Sequence, residues 1–120
     1  MSDDLSAFLP LPPAALHILL ALAGEDRHGY AIMQEIARET GGRYKIGPGT
    51  LYDNIARLMN QALVDEVPSK PGDDPRRRYY RLSVLGRRVL TAEMERLEKT
   101  FSAAKERLRI SSAMTRRRPV

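Results

Sequence analysis

Three successive stretches of the chain carry apolar residues at helical spacing, and Pro or Gly bounds each of them. Pro12-Pro13 suits the first turn of a helix, where a missing N–H costs nothing, and the apolar run from Ala14 to Ala23 carries that helix to Gly24. The run is apolar on nearly every side, so it predicts a helix buried in protein. It is too short to span the ~30 Å hydrocarbon core of a bilayer, and it carries His17. Beyond "EDRHGY", the residues Tyr30, Met33, Ile36, Ala37 and Thr40 define a second, amphipathic helix that Gly41-Gly42 closes. A third helix takes Gly47 as N-cap and Pro48 as its first residue and runs to about Gln61. Leu51, Ile55, Leu58, Met59 and Ala62 give it an apolar stripe, and Thr50, Asp53, Asn54 and Arg57 lie opposite.

The period then changes. "LVDEV" from Leu63 to Val67 is β-branched and alternating, Pro68 to Pro75 is dense in Pro, Gly and Asp, and "RRRYYRL" from Arg76 resumes as a strand. Together these predict a hairpin. Tyr79 and Tyr80 are adjacent and cannot share a face of a strand, so one is expected in the core and the other at the surface. Ser83 is placed as an N-cap, and no Pro interrupts the chain from Val84 to Arg109. Along it Leu90, Met94, Leu97, Phe101, Ala104 and Leu108 alternate steps of four and three, the a/d seam of a helix that pairs with another. Such a helix is roughly 39 Å long at ~1.5 Å per residue, too long for so small a body to cover, so a second copy of the chain is its expected partner. The end, "SSAMTRRRPV", has no periodicity and is expected to be a mobile tail.

Three helices followed by a hairpin is the order of a winged helix-turn-helix, a mainly α fold with a small two-stranded β wing, here extended by a long C-terminal dimerisation helix. The chain divides accordingly into a flexible N-terminus (1–10), the winged domain (11–83), the dimerisation helix (84–110) and a basic, disordered tail (111–120). In this fold the third helix enters the DNA major groove and the hairpin lies along the backbone. A helix start built from Gly47, Pro48, Gly49 and Thr50 lets backbone N–H groups approach a phosphate closely. Asn54 suits adenine, Arg57 suits guanine, and the Thr50 methyl suits a thymine methyl. Taken alone, the same segment also reads as a turn followed by a wet helix face.

Composition narrows the choice. With 120 residues, 42% of them hydrophobic, the chain fits one soluble domain with a modest core. Its net charge of +5 is unevenly placed: residues 1–66 hold five basic and nine acidic residues, and residues 67–120 hold fifteen and six. Such asymmetry reads either as a surface for a polyanion or as a solvated basic surface. Arg76, Arg77 and Arg78, gathered beside the loop tip, are what phosphate neutralisation needs, with Tyr79 expected as the surface tyrosine that reaches the DNA backbone, and cations guarding an edge strand are the other explanation. There is no cysteine, hence no disulfide framework, thiolate zinc site or cysteine nucleophile. Two distant histidines make a poor metal site, and "GPGT" lacks the Gly-Lys-Ser/Thr element of a P-loop. Glu93, Glu95, Glu98 and Glu106 are expected on the outer face of the last helix as solvated partners of nearby Lys and Arg. No enzyme activity, cofactor or metal is expected. The acidic start and the prolines at 10, 12 and 13 do not make an export signal, so a cytoplasmic location without membrane contact is expected.

Three motifs, "HGYAIMQEI" from His28, "GPGTLYDNIARLMNQALV" from Gly47 and "RRRYYRLSVLG" from Arg76, make the stretch from about Leu11 to Leu90 resemble the PadR-like transcriptional regulators. The resemblance implies a homodimeric winged-helix protein that binds double-stranded DNA, usually a repressor, in the short form with a single C-terminal dimerisation helix. It implies that Tyr30, Thr50 and Tyr52 lie near the DNA, Lys45 and Gly49 at its backbone, and the arginines of "RRRYY" in the wing. The dimer would use the C-terminal seam with help from the first helix through Leu16, Leu19 and Leu20, His17 packing at or near that interface. For His28 the resemblance favours a structural role.

Two departures stand out. Where the family commonly has Leu-Glu, a basic residue and Gly-Leu, this chain reads Leu58-Met59-Asn60-Gln61-Ala62-Leu63, and the Gly47-Pro48 turn replaces a Ser often found before the Gly-Thr pair. Some related dimers bind flat aromatic drugs between their helices on a tryptophan. This chain has no Trp, and Phe101 and Met94 are the residues that a small aromatic effector in the dimer cleft would meet, although such residues at helical spacing are more often core. Two further functional readings share these residues: a winged-helix protein-interaction module that uses the same third-helix face, and a ligand sensor for which DNA is the output.

Overall fold

The computed structural model describes residues 4–117, with side chains through residue 113. A single 3-10 turn, Ser6–Phe8, precedes α1 (Pro13–Ala23), β1 (Arg27–His28), α2 (Gly29–Glu39) and α3 (Pro48–Asn60). Strands β2 (Val64–Val67) and β3 (Tyr79–Leu82) and the long α4 (Val84–Arg117) complete the chain. Helix α1 is enclosed by α2, α3, α4 and β3, which is why its sequence is apolar on nearly every side. Ile18, Leu19 and Leu22 of α1 meet Ile32 and Ile36 of α2, the α3 stripe Leu51, Ile55 and Leu58, and Val89 and Leu90 of α4 in one cluster. Burying each such side chain is worth roughly 1.5–3 kcal/mol, so this cluster, more than local propensity, holds helices this short in place.

Two of the expected intersubunit residues belong to that cluster. Leu19 is 0% exposed and Leu90 is buried, so neither is available to a second chain. Enclosure within one chain, rather than contact with another, explains their apolar character. Leu16 and Leu20 lie at the edge of the cluster, half-buried. His17 stacks on Tyr44 with ring centroids 4.6 Å apart, and its buried Nδ1 has no hydrogen-bond partner.

The helix ends follow the sequence closely. His28 caps α2 by accepting the Ala31 N–H on Nδ1 at 3.2 Å. At the other end the Gly42 N–H reaches the Ala37 carbonyl at 2.8 Å, with Gly41 at φ 60°. Helix α3 closes in the same way, Leu63 N–H to Leu58 carbonyl at 2.9 Å and Ala62 N–H to Met59 carbonyl at 3.0 Å. Here the left-handed position is occupied by Ala62, at φ 62°, where a Cβ is disfavoured. Ser83 caps α4, its Oγ accepting the Gly86 N–H at 2.9 Å and donating to the Ala62 carbonyl at 2.7 Å.

Four elements differ from the sequence expectation. The sheet has three antiparallel strands in the order β1-β3-β2, because Arg27 and His28 pair with Tyr80 and Tyr79; two residues are too few to show a period of two. The hairpin ladder ends at the pair Val67↔Tyr79, which leaves Arg76, Arg77 and Arg78 in the connecting loop rather than in the strand. The supposedly flexible N-terminus is packed where it is described: Leu5, Phe8 and Leu9 lie against the core, and the Leu11 N–H donates to Glu93 Oε2 at 2.8 Å. Helix α4 continues through Arg117, past the expected stop at residue 110, since no breaker intervenes before Pro119; residues 118–120 lie outside the described residues.

Glu93 is therefore not a solvated outer-face carboxylate. It is 1% exposed, and it accepts both the Leu11 N–H and the Arg96 Nε–H, the latter at 2.5 Å. Arg96 holds its carboxyl below the ordinary range, burial opposes this, and the Leu11 N–H assists it. With the folded value depressed, Glu93 contributes its stabilisation in full above the ordinary carboxylate range and loses it as pH falls from that range through the lower folded value. Glu93→Gln should accordingly flatten the acid limb of stability against pH in urea titrations, while Glu93→Ala, which strands the Leu11 N–H, should cost about 2 kcal/mol at neutral pH. Ala62→Gly should raise stability by about 0.5–1 kcal/mol by relieving the left-handed alanine, read as a higher urea midpoint with an unchanged slope.

Candidate nucleic-acid interface

Helix α3 is held by its buried stripe, so its remaining faces are fixed in direction. At 100° per residue Gly49, Asp53, Ala56 and Asn60 point directly away from the core, with Thr50 and Arg57 on one flank and Tyr52 on the other. Lys45, Pro48, Gly49, Thr50, Tyr52 and Arg57 are exposed, as is Tyr30 in the first turn of α2. Asn54 is placed differently from expectation. Its Nδ2 donates to the Thr50 carbonyl at 2.8 Å, and the residue is half-buried on the flank shared with Phe8, Pro12 and Ala15. It lies 60° from the core stripe, too close for the outward face.

Tyr52 leans the other way. A Cβ on Gly29 would overlap the hydroxyl end of the Tyr52 ring, so the glycine makes room for the tyrosine over the start of α2. Between this ring and the wing lies a cleft of about 510 Å³. Tyr30, Tyr52 and Tyr80 form its aromatic wall, Arg76, Arg77 and Arg78 form its cationic rim, and His28 lies beside them. The first turn of α2, Tyr52 of α3 and the wing thus border one space.

Two of the wing arginines, Arg76 and Arg77, are partnered within the wing. Arg76 grips Asp74 through Nε and Nη2 at 3.2 and 3.1 Å, and Arg77 Nη1 reaches Asp73 at 3.4 Å. These interactions hold the Asp74 carboxyl below its ordinary range; for Asp73 the Tyr79 hydroxyl is the larger cause. The turn itself is closed by Asp73 N–H to Lys70 carbonyl and Arg77 N–H to Asp74 carbonyl, with Gly72 at φ 83°.

Tyr79, expected at the DNA backbone, is 5% exposed. Its hydroxyl donates to Asp73, its ring meets His28 edge-on at 5.4 Å, and Lys70 lies over it at 5.5 Å. Tyr79 and Tyr80 do occupy opposite faces of β3, but the wing loop covers the face that was expected to be open. Tyr79 therefore braces the loop that carries the arginines. Two residues absent from the expected site enter it here: Asp53, whose central position the helical wheel already implied, and His28, which sequence alone marked only as the start of α2.

Comparison with known proteins agrees with this geometry. Residues 18–92 match the model of the transcriptional regulator PadR-like family. The chain belongs to that family. It is 38% identical over 83 residues to the transcriptional regulator Rv3488 of Mycobacterium tuberculosis, covering 69% of this chain and 74% of that protein. It is similar in structure to a transcriptional regulator from Clostridium thermocellum, with a TM-score of 0.65, 27% identity, and coverage of 88% and 97% of the two chains. A PadR family transcription regulator from Clostridium difficile shares the fold at a TM-score of 0.70 and 22% identity, over 81% of this chain and 99% of that one. Like other PadR-like proteins, the chain is a transcription regulator rather than an enzyme. Among the described residues no group of His, Asp and Glu could hold a metal ion, and no helix is long and apolar enough to cross a membrane.

In this PadR-like protein the Gly29–Tyr52 contact can be tested directly. Gly29→Ala should displace the Tyr52 ring, seen as shifted Tyr52 resonances by NMR, at a stability cost under about 0.5 kcal/mol because the displaced end is exposed. Unmoved Tyr52 resonances would show that the ring does not depend on this glycine.

Proposed function

We propose that the chain is a homodimeric, sequence-specific DNA-binding repressor that occupies a palindromic operator. The observation that carries this reading is that Tyr52 from the second turn of α3, the first turn of α2 and the arginine-bearing wing border the same cleft. Thr50 and Asp53 on α3 are the proposed base readers, the threonine methyl toward a thymine and the carboxylate toward a cytosine amino group. Arg57, farther along the flank, suits a guanine or a phosphate. Lys45, the backbone at Pro48 and Gly49, Tyr30, Tyr52 and the three wing arginines are the proposed backbone contacts.

The second copy is supported by α4. From Glu98 to Ala113 every residue is exposed, including Phe101 at 62% and Leu108 at 68%, a stripe that a monomer has no means to cover. The seam available for pairing is Met94, Leu97, Phe101, Ala104 and Leu108, with Leu16 and Leu20 beside it. A partner α4 accounts for the exposure of Met94 and Phe101, so no effector enters the proposal. Two α3 helices set about one turn of DNA apart, ~34 Å, would then enter successive major grooves, and occupancy would exclude polymerase.

The test is selection from a random duplex pool at near-physiological salt, followed by sequencing of what the protein retains. An enriched inverted repeat is expected, whereas retention without a motif would leave only charge-driven binding. On the selected duplex, Arg77→Ala with Arg78→Ala should weaken binding to all sequences and reduce the salt slope by about 1 per arginine, while Asp53→Ala should change base preference at one position and leave the decrease with salt intact. An arginine pair that alters base preference at constant slope would reverse this division of roles.

A further inference from the structure

His28 sits between two donors and has one lone pair for them. Its Nδ1 is 3.2 Å from the Ala31 N–H, and its Nε2 is 3.3 Å from Arg77 Nη1. A guanidinium never accepts, and a neutral imidazole accepts at only one nitrogen. The Ala31 N–H is fixed in the first turn of α2 and has no other acceptor in that turn, whereas Arg77 is half-exposed and already bonded to Asp73. With the lone pair on Nδ1 the α2 cap is kept, and the proton then falls on Nε2. Burial and Arg77 both push the ring toward the neutral form, Asp73 opposes them, and Lys70 adds to them.

The result is two N–H groups directed at each other across 3.3 Å with no acceptor between them. The ring cannot turn away, since the cap holds one side and Tyr79 packs edge-on against it. An acceptor entering from the cleft would satisfy both donors. The cleft rim supplies two further guanidinium groups, Arg76 and Arg78, and no carboxylate lines it.

We infer that His28 and Arg77 form a paired site for one backbone phosphate of the bound duplex, His28 donating from Nε2 as a neutral ring and Arg77 supplying the charge. This rests on the DNA-binding reading above. The neutral histidine fixes which phosphate is taken, because its position is set by the α2 cap; the mobile arginine follows. His28 thus joins the register of the wing to the register of α2, a task that a third wing arginine could not perform.

His28→Asn separates the two roles of the residue, since asparagine caps a helix well and cannot reach as Nε2 does. On the selected duplex it should lose about tenfold in affinity with the salt slope nearly unchanged, whereas Arg77→Ala, which removes one arginine from each protomer of the dimer, should lower the slope by about 2. Duplexes carrying a methylphosphonate at the same linkage of both half-sites, one position at a time, then locate the contact. At one linkage in each half-site the difference between wild type and His28→Asn should vanish, and the Arg77→Ala difference should vanish at the same linkage. Equal affinity of His28→Asn and wild type, a His28 difference that persists at every linkage, or a His28 linkage distinct from that of Arg77 would each overturn the pair. Failure of wild type to bind any duplex would instead remove the DNA-binding reading itself. Histidine side-chain ¹⁵N spectra of the wild type give an answer without substitution: Nε2 should be the protonated nitrogen and its proton should move downfield on adding duplex. A lone pair on Nε2 would refute the inference.

Discussion

The carbonyl of Leu63 is the pivot on which the arrangement of the long helix depends. It accepts the Ser83 N–H at 3.0 Å, and it lies where a Cβ on Gly86 would have to be. Within a few residues the end of α3, the end of β3 and the start of α4 are thus joined backbone to backbone, with the Ser83 hydroxyl bridging the Ala62 carbonyl and the Gly86 N–H. No long side chain intervenes, so the direction of α4 relative to α3 is set by peptide geometry rather than by rotamers. Any added atom at Gly86 would meet backbone, which cannot swing aside. A small rotation there is magnified along a helix of roughly 50 Å at ~1.5 Å per residue. In the proposed dimer that same angle sets the separation of the two α3 helices, so a glycine far from any base governs the fit to the groove.

The wing shows a second constraint, this one electrostatic. Arginines that wait for phosphates without partners would repel one another and spread over many rotamers. Asp73 and Asp74 hold Arg77 and Arg76 at the lip of the cleft. Exposed pairs of this kind contribute little, about 0–1 kcal/mol, so a phosphate that displaces a carboxylate faces a small barrier. Both carboxylates are held below their ordinary range, so they remain charged throughout the neutral region. Glu35 and Asp26 act similarly on Arg38 and Arg81, away from the cleft. The net positive charge of the second half of the chain therefore understates how closely its cations are directed.

Much of this architecture was legible in the sequence, and what was not shares one physical reason. Helices α1 to α3 and the hairpin announced themselves through apolar period and through Pro and Gly at their ends, all of them local signals. Glu93 looked like a surface carboxylate because Arg96 stands three residues on, as in any exposed helical pair. Its burial depends on Leu11, 82 residues away, which no local pattern encodes. Tyr79 was taken for a surface residue because alternation fixes opposite faces but does not say whether a loop folds back over one of them. Asn54 illustrates the limit within a single helix: a polar residue 60° from the core stripe is outward by composition and flanking by geometry. β1 was unreadable for a plainer reason, since two residues have no period. In the candidate site, the aromatic and arginine positions were legible as types, while the place of His28 between the Ala31 N–H and Arg77 follows only from distances.

The exposed half of α4 links these local facts to the behaviour of the whole. Residues 98–113 form about four turns without core contact, and an isolated helix of that length is marginal in water. Internal support is modest: the Glu106–Arg109 pair and Lys105 over Phe101 are each worth a few tenths of a kcal/mol at an exposed site. The exposed Phe101 and Leu108 are consequently what a second α4 would gain most from covering, so in the proposed dimer pairing and ordering of this segment are one event. The proximal half needs no such help, because Val89, Leu90 and Glu93 anchor it to the protomer core. In the proposed dimer the winged domain carries its own core, and the fixed α3 separation would arise only when two copies meet. Occupancy of a two-fold operator would then rise more steeply than in proportion to protein concentration, with no effector required.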